Sequence, residues 1–375
     1  MTRQEELETK LARMRSFMVE AGYGAVLLTS DQNFAWLSCG GSDLVEHSNE
    51  MGRSFANILV TDDRAYLLAN NIEMPRLLAE EVGGLDLEPV EYPWTEGGSD
   101  ACTERILGRT REVGRKGRRA ADTWVKGMTN ERERIALLRP PLSAAELDRF
   151  RSLCADSADA MAATVDAIRR RMSEKEIQAV AGHEILARGA FPTLILVGCD
   201  ERIARFRHPV PTSASLDRYC MVVLCAQRWG LVSSLTRLVH FGPLPDELRR
   251  RYDALLEVEH AVVAATAPGR SLAEVYAVGA QAYADAGFPE EEKKHFQGGT
   301  CGYYSREQEL SPAVSYRIRE GEVFAHNPSI TGVKVEDTML VSKGRYEVLT
   351  AMEGWPMIRH SREGHTLERP DILLR

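Results

Sequence analysis

The chain has 375 residues, a length that predicts two domains at about 150 residues each. Hydrophobic residues make up 44% of it and charged residues 27%, which excludes a disordered tail, a collagen-like fibre and a small disulfide scaffold. The formal net charge of −8 provides no basic field that would favour nucleic acid or an anionic membrane surface. We therefore predict that neither nucleic acid nor a membrane is a partner.

Targeting and cysteine patterns predict a cytoplasmic location. No stretch reaches the roughly 18 to 20 apolar residues that a membrane span needs. Residues 1–17 are charged throughout and lack the apolar core of a secretory signal. The seven cysteines show neither CxxC nor CxxH spacing, so reduced thiols fit better than a disulfide framework or a zinc finger.

The first part of the chain alternates helical and strand patterns. Apolar residues at helical spacing predict a helix over residues 5–20, which ends at Gly22. Residues 25–28 predict a short buried strand, and residues 55–60 with 65–68 predict a hairpin around an Asp-rich turn. Strands and helices continue to interleave after this hairpin, which predicts an α/β domain.

Paired prolines, Pro140 and Pro141, mark a joint between two domains because proline resists both helix and sheet. Ser143 lies three residues before Glu146, a capping-box pattern that predicts the start of a long helix. The same pattern recurs at Ser173 and Glu176, before a second helix. We predict a first domain over residues 1–139 and a second over residues 143–375.

Strand patterns dominate the second domain. They lie at residues 194–197, 221–225, 322–325 and 338–341, and a helical block spans residues 245–287 between them. This order predicts an α+β domain whose helices lie against a mainly antiparallel sheet.

Polar clusters in the second domain are candidates for chemistry. His208 precedes a predicted core strand, and an imidazole with a pKa of about 6.5 can take and give protons near neutrality. A glycine-rich segment begins at His295 and continues to Tyr303, Arg306 and Glu307. Its glycines let backbone approach a partner closely, while its spacing and the missing Gly-Lys-Ser/Thr disfavour a phosphate loop.

A third cluster is Glu336 with Asp337, a carboxylate pair that enters a strand-like run. Each cluster taken alone also has a structural explanation: a loop histidine, a tight turn, or surface acids at a strand start. Cys225 is most simply a small buried thiol, and a nucleophilic role would need a neighbour that lowers its pKa. His183-Glu184 lacks the second histidine of HExxH, which excludes a zincin.

In order and spacing, these segments resemble the creatinase / aminopeptidase P / prolidase family, the pita-bread hydrolases. The match includes the opening helix and strand up to Leu37, the joining helix from Ser143, and Ala267-Pro268-Gly269 ahead of Ser271. It ends with Glu336-Asp337-Thr338 and the segment over residues 346–350. The resemblance implies a small N-terminal creatinase-like domain and a C-terminal pita-bread domain.

Peptidases of this family hold two divalent metals with two Asp, one His and two Glu, whose hard oxygens suit Mn²⁺ or Co²⁺. By local match these positions fall on Cys225, Ser234, Gly299, Asn327 and Glu336. Only Glu336 is acidic, and one carboxylate cannot hold two divalent cations. The resemblance therefore implies no metal and no other cofactor here.

The polar residues that remain resemble creatinase, which has this fold, no metal and a histidine proton shuttle. The predicted catalytic residues are His208, His295 and Glu336. The predicted substrate-binding residues are Tyr303, Arg306, Glu307 and Asn327. Glu336 and Glu307 would pair with a cationic group, and His208 would move a proton between water and a leaving nitrogen.

The leading hypothesis is a metal-independent hydrolase of a C–N bond in a small amino-acid-like, amide or guanidino compound. One alternative is an Xaa-Pro-type peptidase with an altered metal site, and another is a non-catalytic creatinase-fold binding protein. The resemblance also implies a homodimer, with residues 41–53 as a contribution to the partner's site. The expected partners are thus a small-molecule substrate and a second copy of the chain.

Overall fold

The structure is a computed structural model that describes residues 1–45, 55–96, 103–105, 107–108, 118–342, 345–362 and 365–375. The chain divides into two compact units, Met1–Leu147 and Asp148–Arg375. The domain limits expected from the paired prolines lie a few residues before this division and stay a prediction. Of the segment expected to reach a partner's site, residues 41–53, residues 46–53 lie outside the described residues.

The first unit alternates helices and strands along the chain. Its helices are α1 (Arg3–Ala21), α2 (Asp31–Leu37), α3 (Met74–Arg76) and α4 (Arg132–Ala136). Its strands are β1 (Tyr23–Leu28), β2 (Ala56–Thr61), β3 (Ala65–Asn70), β4 (Glu88–Tyr92), β5 (Arg118–Ala121) and β6 (Thr129–Asn130).

These strands form one sheet in the order β4-β3-β2-β1-β5-β6. The predicted hairpin is β2 paired antiparallel with β3, whereas β5 joins β1 in parallel. The predicted first helix is α1, which ends at Gly22 with a φ of 71°, a left-handed conformation that glycine adopts freely. The buried side of α1 packs on β1 and β2, so this unit is the predicted α/β domain.

The second unit consists of helices on antiparallel sheets. Its helices are α5 (Ala144–Ala167), which begins just before the division, α6 (Glu174–Ala187), α7 (Glu201–Arg205), α8 (Asp246–Ala265) and α9 (Leu272–Asp285). Its long central strands are β7 (Phe191–Cys199), β8 (Tyr219–Arg228) and β9 (Leu231–His240). The strands that follow are β10 (Gly298–Cys301), β11 (Gln308–Glu309), β12 (Glu322–His326), β13 (Ser329–Ile330), β14 (Val333–Lys334), β15 (Asp337–Ser342), β16 (Arg345–Val348), β17 (Met357–Arg362), β18 (His365–Pro370) and β19 (Leu373–Leu374).

Two sheets form the body of this unit, in the orders β19-β9-β8-β7 and β11-β10-β12-β15-β16. Among the described strands of the unit, β19 with β9 is the one parallel pair. The core combines residues of β8 and β9, such as Val223 and Leu238, with Leu255 of α8 and Tyr283 of α9. The predicted mainly antiparallel α+β arrangement is therefore confirmed.

The two sheets meet where β9 contacts the start of β15. The Thr236 amide donates to the Glu336 carbonyl oxygen at 3.0 Å, which makes an isolated bridge between the sheets. Beside it, Arg237 donates to Asp337 at 2.8 Å, and Arg369 contacts both Asp337 and Glu259. These four buried charges balance, and removing any one would leave an unpaired buried charge at a cost of about 3 to 5 kcal/mol.

None of the described helices combines the length and the apolar composition that crossing a bilayer requires.

Candidate functional site

Glu336 lies at the centre of a buried charged cluster. Glu336 immediately precedes β15, and the bridge to Thr236 holds its backbone in place. The carboxylate then accepts three contacts: Thr236 Oγ1 at 2.7 Å, Lys334 Nζ at 2.9 Å and Arg306 Nη2 at 2.9 Å. The two cations come from β14 and from the turn after β10, so tertiary packing assembles the cluster.

The charges of this cluster determine its protonation. Burial raises the pKa of Glu336, but the charges of Lys334 and Arg306 outweigh it and hold that pKa at about 2. At neutral pH the three side chains therefore carry two positive charges and one negative charge. Their exposed fractions are 5% for Lys334, 2% for Glu336 and 8% for Arg306, so little water screens them.

The two predicted catalytic histidines meet beside this cluster. His208 follows α7 and His295 follows the 3-10 turn Glu291–Lys294. Their Nε2 atoms are 3.0 Å apart, with the rings edge to face. Phe296, which is 40% exposed, stacks on His295 with ring centroids 4.7 Å apart. Its ring centroid also lies 5.5 Å from the Arg306 guanidinium, so it connects the histidines to the charged cluster.

Both imidazoles are neutral at pH 7. Burial, then the charge of Lys334, then His208 lower the pKa of His295 to about 3. Burial and then Lys334 also lower the pKa of His208 below its usual value. A contact between two neutral Nε2 atoms requires one to donate and the other to accept, so the two rings must be in opposite tautomers.

Arg207 links the segments of the two histidines, which are 87 residues apart in sequence. Its guanidinium donates to Ser329 Oγ at 3.2 Å and to Thr331 Oγ1 at 3.1 Å, and it forms an ion pair with Glu291. Glu291 begins the turn that His295 follows, so one partly buried ion pair ties the segment of His208 to that of His295.

The predicted substrate-binding residues occupy different environments. Arg306 reaches Glu336, but the side chain of Tyr303 is fully buried. Glu307 accepts the Tyr303 amide at 3.0 Å and so closes the turn between them. Asn327 is also buried, and its Oδ1 has no hydrogen-bond partner among the described residues.

The five positions of the expected metal site do not suit a dinuclear metal centre. Cys225 and Ser234 face each other across β8 and β9, with Sγ and Oγ 3.2 Å apart. Burial and the Glu336 charge raise the pKa of Cys225, which keeps it a thiol and a poor metal ligand or nucleophile. Asn327 is neutral, and Glu336 is already paired with two fixed cations.

Gly299 cannot carry a ligand side chain in this fold. It pairs with both β11 and β12 and has a φ of 156°. A Cβ built on it would lie against the Gln308 carbonyl oxygen, far closer than side chains approach backbone. Among the described residues, no three His, Cys, Asp or Glu side chains converge as metal ligands.

Sequence reasoning missed Lys334, Arg207 and Phe296. A signal for Lys334 was available, because residues two apart on an extended segment point to the same side, which places Lys334 beside Glu336. No local pattern marks Arg207, since its partners come from distant segments. Phe296 adjoins His295 in the sequence, but its contact with Arg306 depends on how the chain turns after β10.

The chain matches two known families along most of its length. Residues 148–343 match the metallopeptidase family M24, and residues 10–170 match the creatinase/prolidase N-terminal domain. The M24 match begins where the second unit begins, and the N-terminal match covers most of the first unit and the start of the second.

Curated relatives and solved structures agree with these matches. An uncharacterized peptidase of Staphylococcus saprophyticus is 25% identical over 229 residues, which are 58% of this chain and 65% of that protein. The Xaa-Pro dipeptidase of Pyrococcus horikoshii is 24% identical over 366 residues, 92% of this chain and 98% of that protein. A dipeptidase structure from Mycobacterium ulcerans has a TM-score of 0.76 at 17% identity and covers 99% of this chain and 98% of its own. The chain spans about half to two thirds of the length of the first curated relatives that it matches.

Proposed function

We propose, from the premise that the chain belongs to metallopeptidase family M24, that it hydrolyses a C–N bond in a small peptide-like or amide compound. The observation that carries the proposal is the neutral His208–His295 pair, which lies beside a partly exposed aromatic ring and a buried charged cluster. The names of the relatives, peptidase and Xaa-Pro dipeptidase, support the class of bond.

His208 is the proton-transfer residue of this proposal because it is the exposed member of the pair. With its Nε2–H donated to His295, its Nδ1 lone pair takes a proton from water, and the hydroxide adds to the carbonyl carbon. The C–N bond then breaks as His208 returns the proton to the leaving nitrogen. The products are a carboxylic acid and an amine, so one water is consumed for each bond cleaved.

We further propose that this reaction proceeds without a dinuclear metal centre. The support is the chemistry of the five matched positions. They are the thiol of Cys225, the hydroxyl of Ser234, Gly299 without a side chain, the amide of Asn327, and the carboxylate of Glu336, which is already paired with cations. Hard divalent cations favour carboxylate oxygens, and the positive charges of Lys334 and Arg306 would repel them.

The guanidino substrates considered from the sequence fit this site less well than peptides or amides do. A cationic group would need a carboxylate to receive it, but Glu336 is paired with two cations and Glu307 accepts a backbone amide. We therefore assign Glu336 the role of a positioning residue that orients Arg306 and Lys334.

A second candidate is an Xaa-Pro dipeptidase that binds metal through an altered ligand set. Its support is the Pyrococcus horikoshii relative, which aligns with 92% of this chain and is named an Xaa-Pro dipeptidase. The comparisons support this peptide substrate class more directly than they support metal independence.

Activity screening of the purified protein tests these proposals. Small dipeptides, including Xaa-Pro dipeptides, and small amides would be assayed with a chelator and, separately, with Mn²⁺ or Co²⁺. We expect turnover in the chelator and a loss of about 100-fold or more in His208→Ala. His183→Ala, which removes an exposed imidazole on α6, is the matched control.

Each other outcome would favour a different function for the protein. Turnover only with added metal would favour the second candidate, and full turnover by His208→Ala would contradict the proton-transfer role. No hydrolysis of any compound would favour a non-catalytic binding protein. We also propose a cytoplasmic homodimer, for which light scattering should give twice the chain mass of 41.8 kDa.

A further inference from the structure

We infer that Lys334 and Arg306 form a binding site for an anionic oxygen of the substrate, at the carboxylate of Glu336 where relatives are expected to hold a metal. The inference rests on the proposed function for the identity of the substrate. Its binding test below needs no turnover.

Unused hydrogen-bond donors are the first support. The Lys334 ammonium has three N–H groups, and Glu336 is its one hydrogen-bond or ion-pair partner among the described residues. The Arg306 Nε is buried and has no partner among those residues either. Both side chains are more than nine-tenths buried. Buried donors without acceptors are costly, and an oxygen of a ligand would satisfy them.

The charge balance is the second support. Lys334 and Arg306 share one carboxylate, so the cluster keeps an excess of one positive charge. The next carboxylate along the chain, Glu307, accepts the amide of Tyr303. An anionic oxygen would complete the balance, and charge-assisted hydrogen bonds are the strongest type that it could form.

The position of the cations relative to the histidines is the third support. Lys334 and Arg306 contact the same carboxylate, that of Glu336, so their cationic groups lie close to each other. Arg306 lies over Phe296, whose ring centroid is 6.2 Å from that of His208. An oxygen bound by Arg306 would therefore lie in the region of Phe296, the ring that neighbours both histidines.

Two kinds of substrate oxygen fit a site for an anionic oxygen. One is a carboxylate that the substrate carries before reaction, and the other is the carbonyl oxygen that becomes negative when water adds. Fixed donors aimed at such an oxygen do the electrostatic work that a metal ion does in a metallopeptidase. The competing explanation is purely structural: the cations only neutralise Glu336.

The test uses acetate and acetamide, which have nearly the same shape and differ in charge, as probes of the whole protein. Binding is followed through the imidazole NMR signals of His208 and His295. We expect acetate to bind and acetamide not to bind. Lys334→Gln should weaken acetate binding about tenfold or more, whereas Glu336→Gln should strengthen it, because it removes the competing carboxylate. Lys175→Gln, an exposed lysine on α6, should change nothing.

The two variants are expected to change affinity in opposite directions, which a purely structural role would not produce. Equal loss in both variants, or no acetate binding to the wild type, would overturn the inference. If Lys334→Gln does not fold, Glu336→Gln carries the test alone, and Lys334→Arg should restore binding. With the substrate from the activity screen, an effect of Lys334→Gln on KM would identify the bound oxygen as a carboxylate that the substrate carries before reaction. An effect on kcat would identify it as the carbonyl oxygen that becomes negative during the reaction.

Discussion

Lys334 has more influence on the candidate site than any residue that the sequence singled out. Its ammonium pairs with Glu336, and after burial it lowers the pKa of both histidines. Lys334 therefore acts with Arg306 to keep the carboxylate ionised, and it adds to burial, the larger cause, in keeping the imidazoles neutral. That combination leaves a lone pair on His208 for proton transfer at pH 7.

The substitution Lys334→Gln should raise the pKa of His208. A nearby positive charge disfavours the imidazolium, so removing it favours protonation and moves the pKa upward toward 6.5. NMR titration of the imidazole signals measures this directly, with Lys175→Gln as the charge-matched control. A His208 pKa that falls or stays the same in Lys334→Gln would contradict the electrostatic account.

His326 should make the protein less stable in acid. It is buried in β12 with Nε2 3.0 Å from Thr266 Oγ1, and burial, Arg306 and Arg369 lower its pKa to about 3. Between about pH 6.5 and 3 the unfolded chain binds a proton here that the folded chain does not. The free energy of unfolding therefore falls as the pH drops through that window.

His326→Gln should reduce this pH dependence. Denaturant unfolding at several pH values gives the slope of the unfolding free energy against pH. In the variant this slope should be smaller by the amount that corresponds to about one bound proton. His183→Gln removes an exposed imidazole and serves as the control. An unchanged slope in His326→Gln would show that another group carries the acid sensitivity.

At the scale of elements, β10 excludes the expected histidine ligand. Gly298 and Gly299 lie in the strand between β11 and β12, and a Cβ on either would overlap a neighbouring carbonyl oxygen. These glycines let the strands approach closely. The glycine-rich segment is therefore used for sheet packing and not for a phosphate loop or a metal ligand.

Gly299→Ala should destabilise the protein far more than Gly287→Ala. Gly287 follows α9 with a φ of 81° and open space around its Cβ, so alanine there should cost only the left-handed conformation, about 1 to 2 kcal/mol. At Gly299 the backbone must also move, which should add at least about 2 kcal/mol. Denaturant unfolding compares the two. Equal losses would mean that β10 has room for a side chain.

Local rules predicted the elements themselves well. The capping box of Ser173 and Glu176 does begin a helix, α6, and the strand patterns near residues 194 and 221 lie within β7 and β8. These features depend on neighbours in sequence: a side chain that caps the helix N-terminus, and apolar residues along buried strands.

For the whole molecule, metal content is the decisive measurement. We expect less than one metal ion per chain by mass spectrometry after incubation with Mn²⁺, Co²⁺, Zn²⁺ or Fe²⁺, because two cations compete for Glu336. The double variant Lys334→Gln/Arg306→Gln removes that competition and is the matched comparison. Two tightly held metals in the wild type would overturn the metal-free proposal and restore the peptidase with an altered site.

The sequence by itself determined the family and the two-part organisation, and it predicted the loss of the acidic ligand set. These follow from residue identity and order, which need no contacts to be read. It also identified His208, His295, Arg306 and Glu336 as candidates, although their roles remain proposals.

Only the tertiary structure decided what these residues contact. His208 and His295 meet where Arg207 ties their segments to each other, and Arg306 crosses from another turn to Glu336. Sequence spacing cannot predict such pairs, because burial and charge compensation depend on segments that are distant along the chain. For that reason Glu336, expected to receive a cationic substrate, is instead neutralised by the protein's own cations.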